Sequence, residues 1–134
     1  MIIRDNITIN LPSKWQMQEN GDSVSIYNNN GQGAVTISFY TILKNEKPIM
    51  EFISEKAVDF IRQSEIKLNK SFIVDMTDNK RVVLSGSGET KDGEFIKIYI
   101  LANNSRFILI TYDSTKKNRE VKVVDKIVES INFI

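Results

Sequence analysis

Apolar and polar residues take turns along most of this chain. Ile7, Ile9 and Leu11 alternate with Thr8 and Asn10, the period of a strand that buries one face. Pro12 is expected to end that strand, because it cannot donate to a ladder. Trp15-Gln16-Met17-Gln18 alternates again, and Asn20-Gly21-Asp22 reads as a turn. Val24 and Ile26 then alternate with Ser25 and Tyr27. The stretch from Asn28 to Gly33 has the composition of a loop, and beyond it Val35, Ile37 and Phe39 alternate with Thr36, Ser38 and Tyr40. The opening third therefore predicts three or four strands joined by tight turns.

The period changes after Lys47. Pro48 suits the first turn of a helix. Ile49, Phe52, Ile53, Ala57, Phe60 and Ile61 follow at spacings of three and four, which lays one wide apolar stripe along a helix. Lys56, Arg62 and Gln63 fall off the stripe. This spacing predicts a helix from about Ile49 to about Ile66.

Strand patterns resume with Phe72, Val74 and Met76, a turn at Asp78-Asn79, and a further strand through Val82, Leu84 and Gly86. Asp92-Gly93 lies between two alternating runs and predicts a hairpin with a type I′ turn, whose two central residues need positive φ. Phe95 to Ala102 and Arg106 to Ser114 read as the last long strands, joined through Asn103-Asn104-Ser105. A second helix is expected from about Asn118 to about Ser130, with Val121, Val124, Val128 and Ile131 as its stripe and Ile127 beside it. Ile131-Asn132-Phe133-Ile134 reads as a short edge strand. The whole is one α+β domain, residues 1–134, with a mostly antiparallel sheet of about six to eight strands and two main helices.

The final hairpin is apolar on both faces. In one strand Phe107, Leu109 and Thr111 share a face, and Ile108, Ile110 and Tyr112 share the other. In its neighbour Ile96, Ile98 and Ile100 oppose Phe95, Tyr99 and Leu101. A sheet with one wet face would show polar residues on that face. Both faces are therefore expected to be covered, with the two helices on opposite sides. Helices sharing one side would instead leave a large apolar patch for a partner or ligand.

Composition narrows the chemistry. The chain has neither cysteine nor histidine, which removes disulfides, Cys-His and Ser-His-Asp catalysis and most zinc sites. Its 18 basic and 17 acidic residues leave a net charge of +1, without the basic excess expected of a nucleic-acid binder. No long apolar run could span a bilayer, and the first residues do not have the pattern of a signal peptide. The expected location is cytoplasmic as the sequence stands, and extracytoplasmic if a leader has been trimmed.

Three short signatures carry a resemblance. Ile7-Thr8-Ile9-Asn10-Leu11-Pro12-Ser13-Lys14-Trp15 is similar to the opening of PsbP-like and bacterial DcrB-like domains, where a first strand ends in Leu-Pro with Trp shortly after. Ala34-Val35-Thr36-Ile37-Ser38 resembles their strand before the long helix. Ile110-Thr111-Tyr112, and later Glu129-Ser130-Ile131-Asn132-Phe133, resemble their C-terminal end. The order of elements agrees over nearly the whole chain. The resemblance implies an αβα sandwich and mostly binding or accessory roles, from photosystem subunits to chaperones. Plant members have been linked to metal through histidine-containing sites, and that property does not carry over to a chain without histidine.

The remaining motifs have plain structural readings. Gly31-Gln32-Gly33 lacks the rest of a nucleotide-binding loop and is expected to supply positive φ in a hairpin. Gly86 and Gly88 are expected to mark a bulge or a close backbone approach. Asp75 with Asp78, and Glu89, Asp92 and Glu94, read as solvated turn carboxylates rather than a catalytic pair. Lys116, Lys117, Arg119, Lys122 and Lys126 read first as a solvated helix face, and otherwise as a surface for an acidic partner or phosphate. Trp15 reads as core. The interaction candidates are Tyr27, Tyr40, Tyr99 and Tyr112, which combine apolar area with a polar handle, together with Lys122 and Lys126. The expected function is a non-enzymatic binding or accessory domain that engages another protein, in the manner of a chaperone or adaptor, with no cofactor. A homodimer is one form this could take. A carrier of a small apolar ligand or lipid is the first alternative. An enzyme using carboxylate, lysine or tyrosine chemistry is the second.

Overall fold

The computed structural model describes the chain except residues 5, 43–46, 78–80 and 104, and except the side chains of residues 75–77. Eight strands form one antiparallel sheet. Its first half comprises β3 (Trp15–Asn20), β4 (Ser23–Asn28) and β5 (Gly33–Thr41). Its second half comprises β6 (Lys67–Leu68), β7 (Ile73–Thr77), β8 (Arg81–Glu89), β9 (Phe95–Ala102) and β10 (Arg106–Ser114). The spatial order is β3-β4-β5-β10-β9-β8-β6, and β7 also pairs with β8. The seam between the halves is β5 against β10, paired from Arg106↔Thr41 to Ser114↔Gly33. A second, three-stranded sheet joins β1 (Ile2–Arg4), β2 (Ile7–Thr8) and β11 (Asn132–Phe133). The helices are α1 (Ile49–Gln63) and α2 (Glu120–Glu129). Among the described residues no helix is long and apolar enough to cross a membrane. The eight strands of the large sheet and the two helices among the described residues agree with the sequence pattern.

The two faces of the sheet are covered by different things. Ile108, Ile110, Tyr112, Tyr99 and Leu101 pack with Val121, Val124, Ile127 and Val128 of α2. The same cluster takes in Val24, Ile26, Val35 and Ile37 of β4 and β5, capped by Ile3, Ile7 and Ile9 near the small sheet. Trp15 is half-buried against this cluster. On the opposite face Phe107, Ile100, Leu84 and Val82 pack with Ile53 and Ala57 of α1, and Ile96 and Ile98 pack with Phe60, Ile61 and Ile66 at the end of that helix. Phe107 and Ile108 thus point to opposite sides and both are buried, as the two-faced hairpin predicts. The helices lie on opposite sides of the sheet.

Several local expectations need correction. The strand expected through Leu11 ends at Thr8, and Ile9 continues into the core outside any strand. The short pieces β1 and β6 fall outside the alternation read from the sequence, being two or three residues long. The first helix stops at Gln63 rather than near Ile66. There Glu65 adopts φ 55°, Ile66 N–H donates to Ile61 O at 3.0 Å and Glu65 N–H to Arg62 O at 3.3 Å. That pair of bonds is a Schellman ending, closed by apolar contact between Ile61 and Ile66. The Asp92-Gly93 hairpin is not type I′, because Gly93 has φ 81° and Asp92 does not share it. Gly93 N–H donates to Thr90 O and Thr90 N–H to Glu94 O, the pattern of a type I turn followed by a left-handed glycine. The turn at Asp78-Asn79 lies outside the described residues.

Gly31 and Gly33 do not have positive φ either. They are there for closeness. A Cβ on Gly33 would stand 2.7 Å from the Tyr112 ring, and one on Gly31 would collide with the Glu120 carboxylate. Gly86 and Gly88 match the expected close approach, with the Phe72 ring lying over Gly86 and the Lys67 backbone against Gly88.

Candidate functional site

Face for face, the sheet is unequally covered. On the side of α2, the helix and the small sheet between them close the surface from β9 to β3. On the other side α1 packs over β8 and β9, and its cluster takes nothing from β3 or β4. The register runs Gln18–Ser25–Thr36–Thr111 across the uncovered strands. Ser38 and Ser23 form the next row. These residues are polar because this half of the face is wet, the alternation expected of a half-solvated sheet.

Where covered and uncovered halves meet, a groove opens between α1 and the sheet. It encloses about 490 Å³, within the range of ligand sites. Phe52, Lys56, Asp59 and Gln63 line one wall at helical spacing, and Tyr40, Phe107 and Leu109 form the floor and the other wall. Tyr40 and Phe107 are direct cross-strand partners. Their rings stack at 4.7 Å with an interplanar angle of 11°. Phe52 meets Phe107 edge-on at 5.7 Å. The Lys56 ammonium lies 5.3 Å from the centre of the Phe52 ring, a cation–π distance. Phe107 is buried but Tyr40 remains 45% exposed, so the aromatic cluster is fixed from below and open above. Lys56 and Asp59 put one charge of each sign at the exposed rim.

The sequence-predicted interaction residues are divided between the two faces. Tyr40 lines the groove. Tyr27 lies half-buried on the same wet face, its hydroxyl donating to Gln16 Oε1 at 3.3 Å. Tyr99 and Tyr112 point the other way, buried in the core beneath α2. Their hydroxyls face inward: Tyr99 donates to Asp125 Oδ1 at 2.5 Å and Tyr112 to Glu120 Oε1 at 2.9 Å. They hold the helix to the sheet rather than offer a surface. Burial, reinforced by the Asp125 carboxylate, pushes the Tyr99 phenol far above its ordinary value. Burial also raises Tyr112, with Glu120 adding to the shift and Asn118 opposing it. Lys122 and Lys126 are exposed on α2. Among the turn carboxylates, Glu89 and Asp92 are exposed. Asp78 lies outside the described residues, as does the side chain of Asp75. No cluster of three metal-ligating side chains occurs among the described residues.

Phe52, Phe107, Lys56, Asp59 and Gln63 were not singled out as site residues by sequence. Phe52 counts there as one more member of an apolar stripe, and Phe107 as one more core position. The hint the sequence carries is the width of the apolar stripe of α1, on which Phe52 lies.

No family model matches the chain, and no curated protein matches it in sequence. Solved structures do. The chain is similar over 97% of its length to cyanobacterial PsbP (CyanoP) from Synechocystis sp. PCC 6803, at a TM-score of 0.64 and 15% identity, covering 88% of that protein. It is also similar over its full length to a protein of Bacteroides thetaiotaomicron VPI-5482, at a TM-score of 0.59 and 16% identity. The chain spans about half, 47%, of that second protein.

Proposed function

We propose that this PsbP-like fold serves as a non-enzymatic binding or accessory domain, and that it grips an extended segment of another protein in the groove beside α1. The observation that carries the reading is the aromatic cluster of Tyr40, Phe107 and Phe52 at the border of an uncovered sheet half. Interfaces centre on such anchors, with a polar rim that excludes water. Here the floor is aromatic, while Lys56, Asp59 and Gln63 supply a rim that can bond to a peptide backbone. Beyond the groove, Thr36 and Ser38 continue the polar surface along the same face. A carrier of apolar ligands would need a closed cavity, whereas this groove opens to solvent and runs onto hydroxyl groups.

The test compares wild-type chain with Tyr40→Ala and Phe52→Ala as baits at micromolar concentration. The expected result is a partner retained by wild type and weakened about tenfold or more by either change, the loss typical of a truncated hot spot. Tyr40→Ala should leave the melting temperature nearly unchanged, since Tyr40 is already half exposed. Retention of no partner by wild type, or retention by both variants as strong as by wild type, overturns the reading. Native mass spectrometry showing a co-purified lipid would favour the carrier instead.

A further inference from the structure

We propose that a second site, on the opposite face from the groove, binds a small phosphate-bearing anion. It is a pocket of about 430 Å³ between the start of α2 and the strands β8 and β9. Lys97, Lys117, Arg119 and Lys122 line it, against a single carboxylate, Asp125.

Three features separate this pocket from an ordinary solvated helix face. First, its cations come from different pieces of chain. Lys97 stands on β9, Lys117 and Arg119 precede α2, and Lys122 lies in its first turn, so the fold gathers them into one concavity. The chain as a whole is nearly neutral at +1, and a local excess of three positive charges is therefore a departure from its average. Second, the acidic group in the pocket is already engaged. Asp125 Oδ1 accepts from Lys97 Nζ at 2.7 Å and from Tyr99 Oη at 2.5 Å. The nearby Glu120 faces elsewhere, accepting from the backbone of Gln32 at 3.2 Å and Gly33 at 3.1 Å and from Tyr112. Third, Lys97 is partly withdrawn from water, its side chain 22% exposed, and Phe95 supplies a buried apolar wall. Charge-assisted bonds from lysine and arginine to phosphate oxygens gain strength where water is partly excluded. The Ser87 hydroxyl lines the same pocket and adds a neutral donor.

Soluble phosphate compounds and lipid headgroups share this chemistry, and the experiment separates them. Inorganic pyrophosphate is titrated at low ionic strength against wild type, against Lys117→Glu/Lys122→Glu, and against Lys70→Glu/Lys91→Glu. The last variant makes the same change in net charge at exposed positions outside the pocket. Sedimentation with phosphatidylglycerol vesicles is measured in parallel, and thermal melts confirm that all three chains fold. The expected result is saturable one-to-one binding, weakened about tenfold or more in the pocket variant by loss of two bonds to charged groups, and nearly unchanged in the control. Vesicle binding with the same dependence, but without pyrophosphate binding, assigns the phosphate to a headgroup. Binding of neither probe, or equal weakening in both variants, overturns the proposal. Groove variants such as Tyr40→Ala should not affect this binding, which keeps its outcome separate from that of the protein-docking role.

Discussion

Glu65 holds the left-handed position that ends α1, at φ 55°. A residue with a Cβ is strained there by about 1 kcal/mol, and glycine is not. Glu65 is exposed, so Glu65→Gly should raise stability by about 0.5–1 kcal/mol in urea denaturation, with unchanged slope. An unchanged or lower midpoint would show that the side chain contributes more than its backbone strain costs. Asp113 poses the reverse problem. Its strand neighbours are Ala34 on β5 and Ile96 on β9, and desolvation raises its carboxyl above the ordinary 3.8, partly offset by a bond to its own backbone. A raised folded value favours the protonated form. The associated stability is complete below about 3.8 and is lost as pH rises through the folded value, so ionised Asp113 costs stability at neutral pH. Asp113 is nevertheless exposed, and solvent screens most of this cost, so Asp113→Asn should melt only slightly higher than wild type at pH 7, with the difference vanishing toward pH 3. Neither position was legible beforehand. The sequence pattern places Glu65 inside a helix, and the left-handed ending depends on Ile66 docking against Ile61. Asp113 occupies a polar slot in an alternating strand, and its surroundings depend on which strands flank it.

At the scale of elements, α2 is fastened to the sheet by polar bonds at its middle and by its apolar stripe. Asp125 reaches across to Tyr99 and Lys97, and Arg81 of β8 donates to the carbonyls of Glu129, at 3.0 Å, and Ile131. A cation at the end of a helix satisfies carbonyls that lack partners within it and complements the helix dipole. Tyr99→Phe keeps the ring and removes the hydroxyl. It should cost about 1–3 kcal/mol, the range for a buried bond to a charged group. The raised phenol value means that this stabilisation is full below the ordinary value of 10.0 and fades as pH rises beyond it. The deficit of the variant should therefore be constant from pH 6 to 9 and shrink above pH 10, read from denaturation curves at each pH. A deficit that is flat through pH 11 would remove the linkage. Helix α2 itself was legible, since Val121, Val124 and Val128 repeat at helical spacing. Its fastening was not, because Tyr99 and Tyr112 look alike in sequence whether their hydroxyls face water or a carboxylate on another element.

Across the whole molecule, the alternation in β9 and β10 already implied a sheet covered on both sides, and Phe107 and Ile108 divide between the two clusters accordingly. Ile108 is fully buried beneath α2. Ile108→Ala should cost about 2–5 kcal/mol by transfer and cavity formation, measured by chemical denaturation, and should not alter binding in the groove on the far face. A cost below about 1 kcal/mol would mean that the core collapses around the loss. The groove was hidden for a topological reason. Tyr40 and Phe107 belong to segments far apart in the sequence, and only the β5–β10 seam makes them partners. Nothing in the spacing of either strand announces that pairing, nor that α1 covers just half of the face it shares with them.

The seam between β2 and its two neighbours has a mechanical side. Ile9 N–H donates to Met1 O at 2.9 Å, and Ile134 N–H donates to Asn6 O at 2.8 Å, so both extremities are sewn to the same short stretch of backbone. A stretching force applied at residues 1 and 134 would load those few bonds before it reached the large sheet. The small sheet would unzip first, while the eight-stranded layer stayed intact.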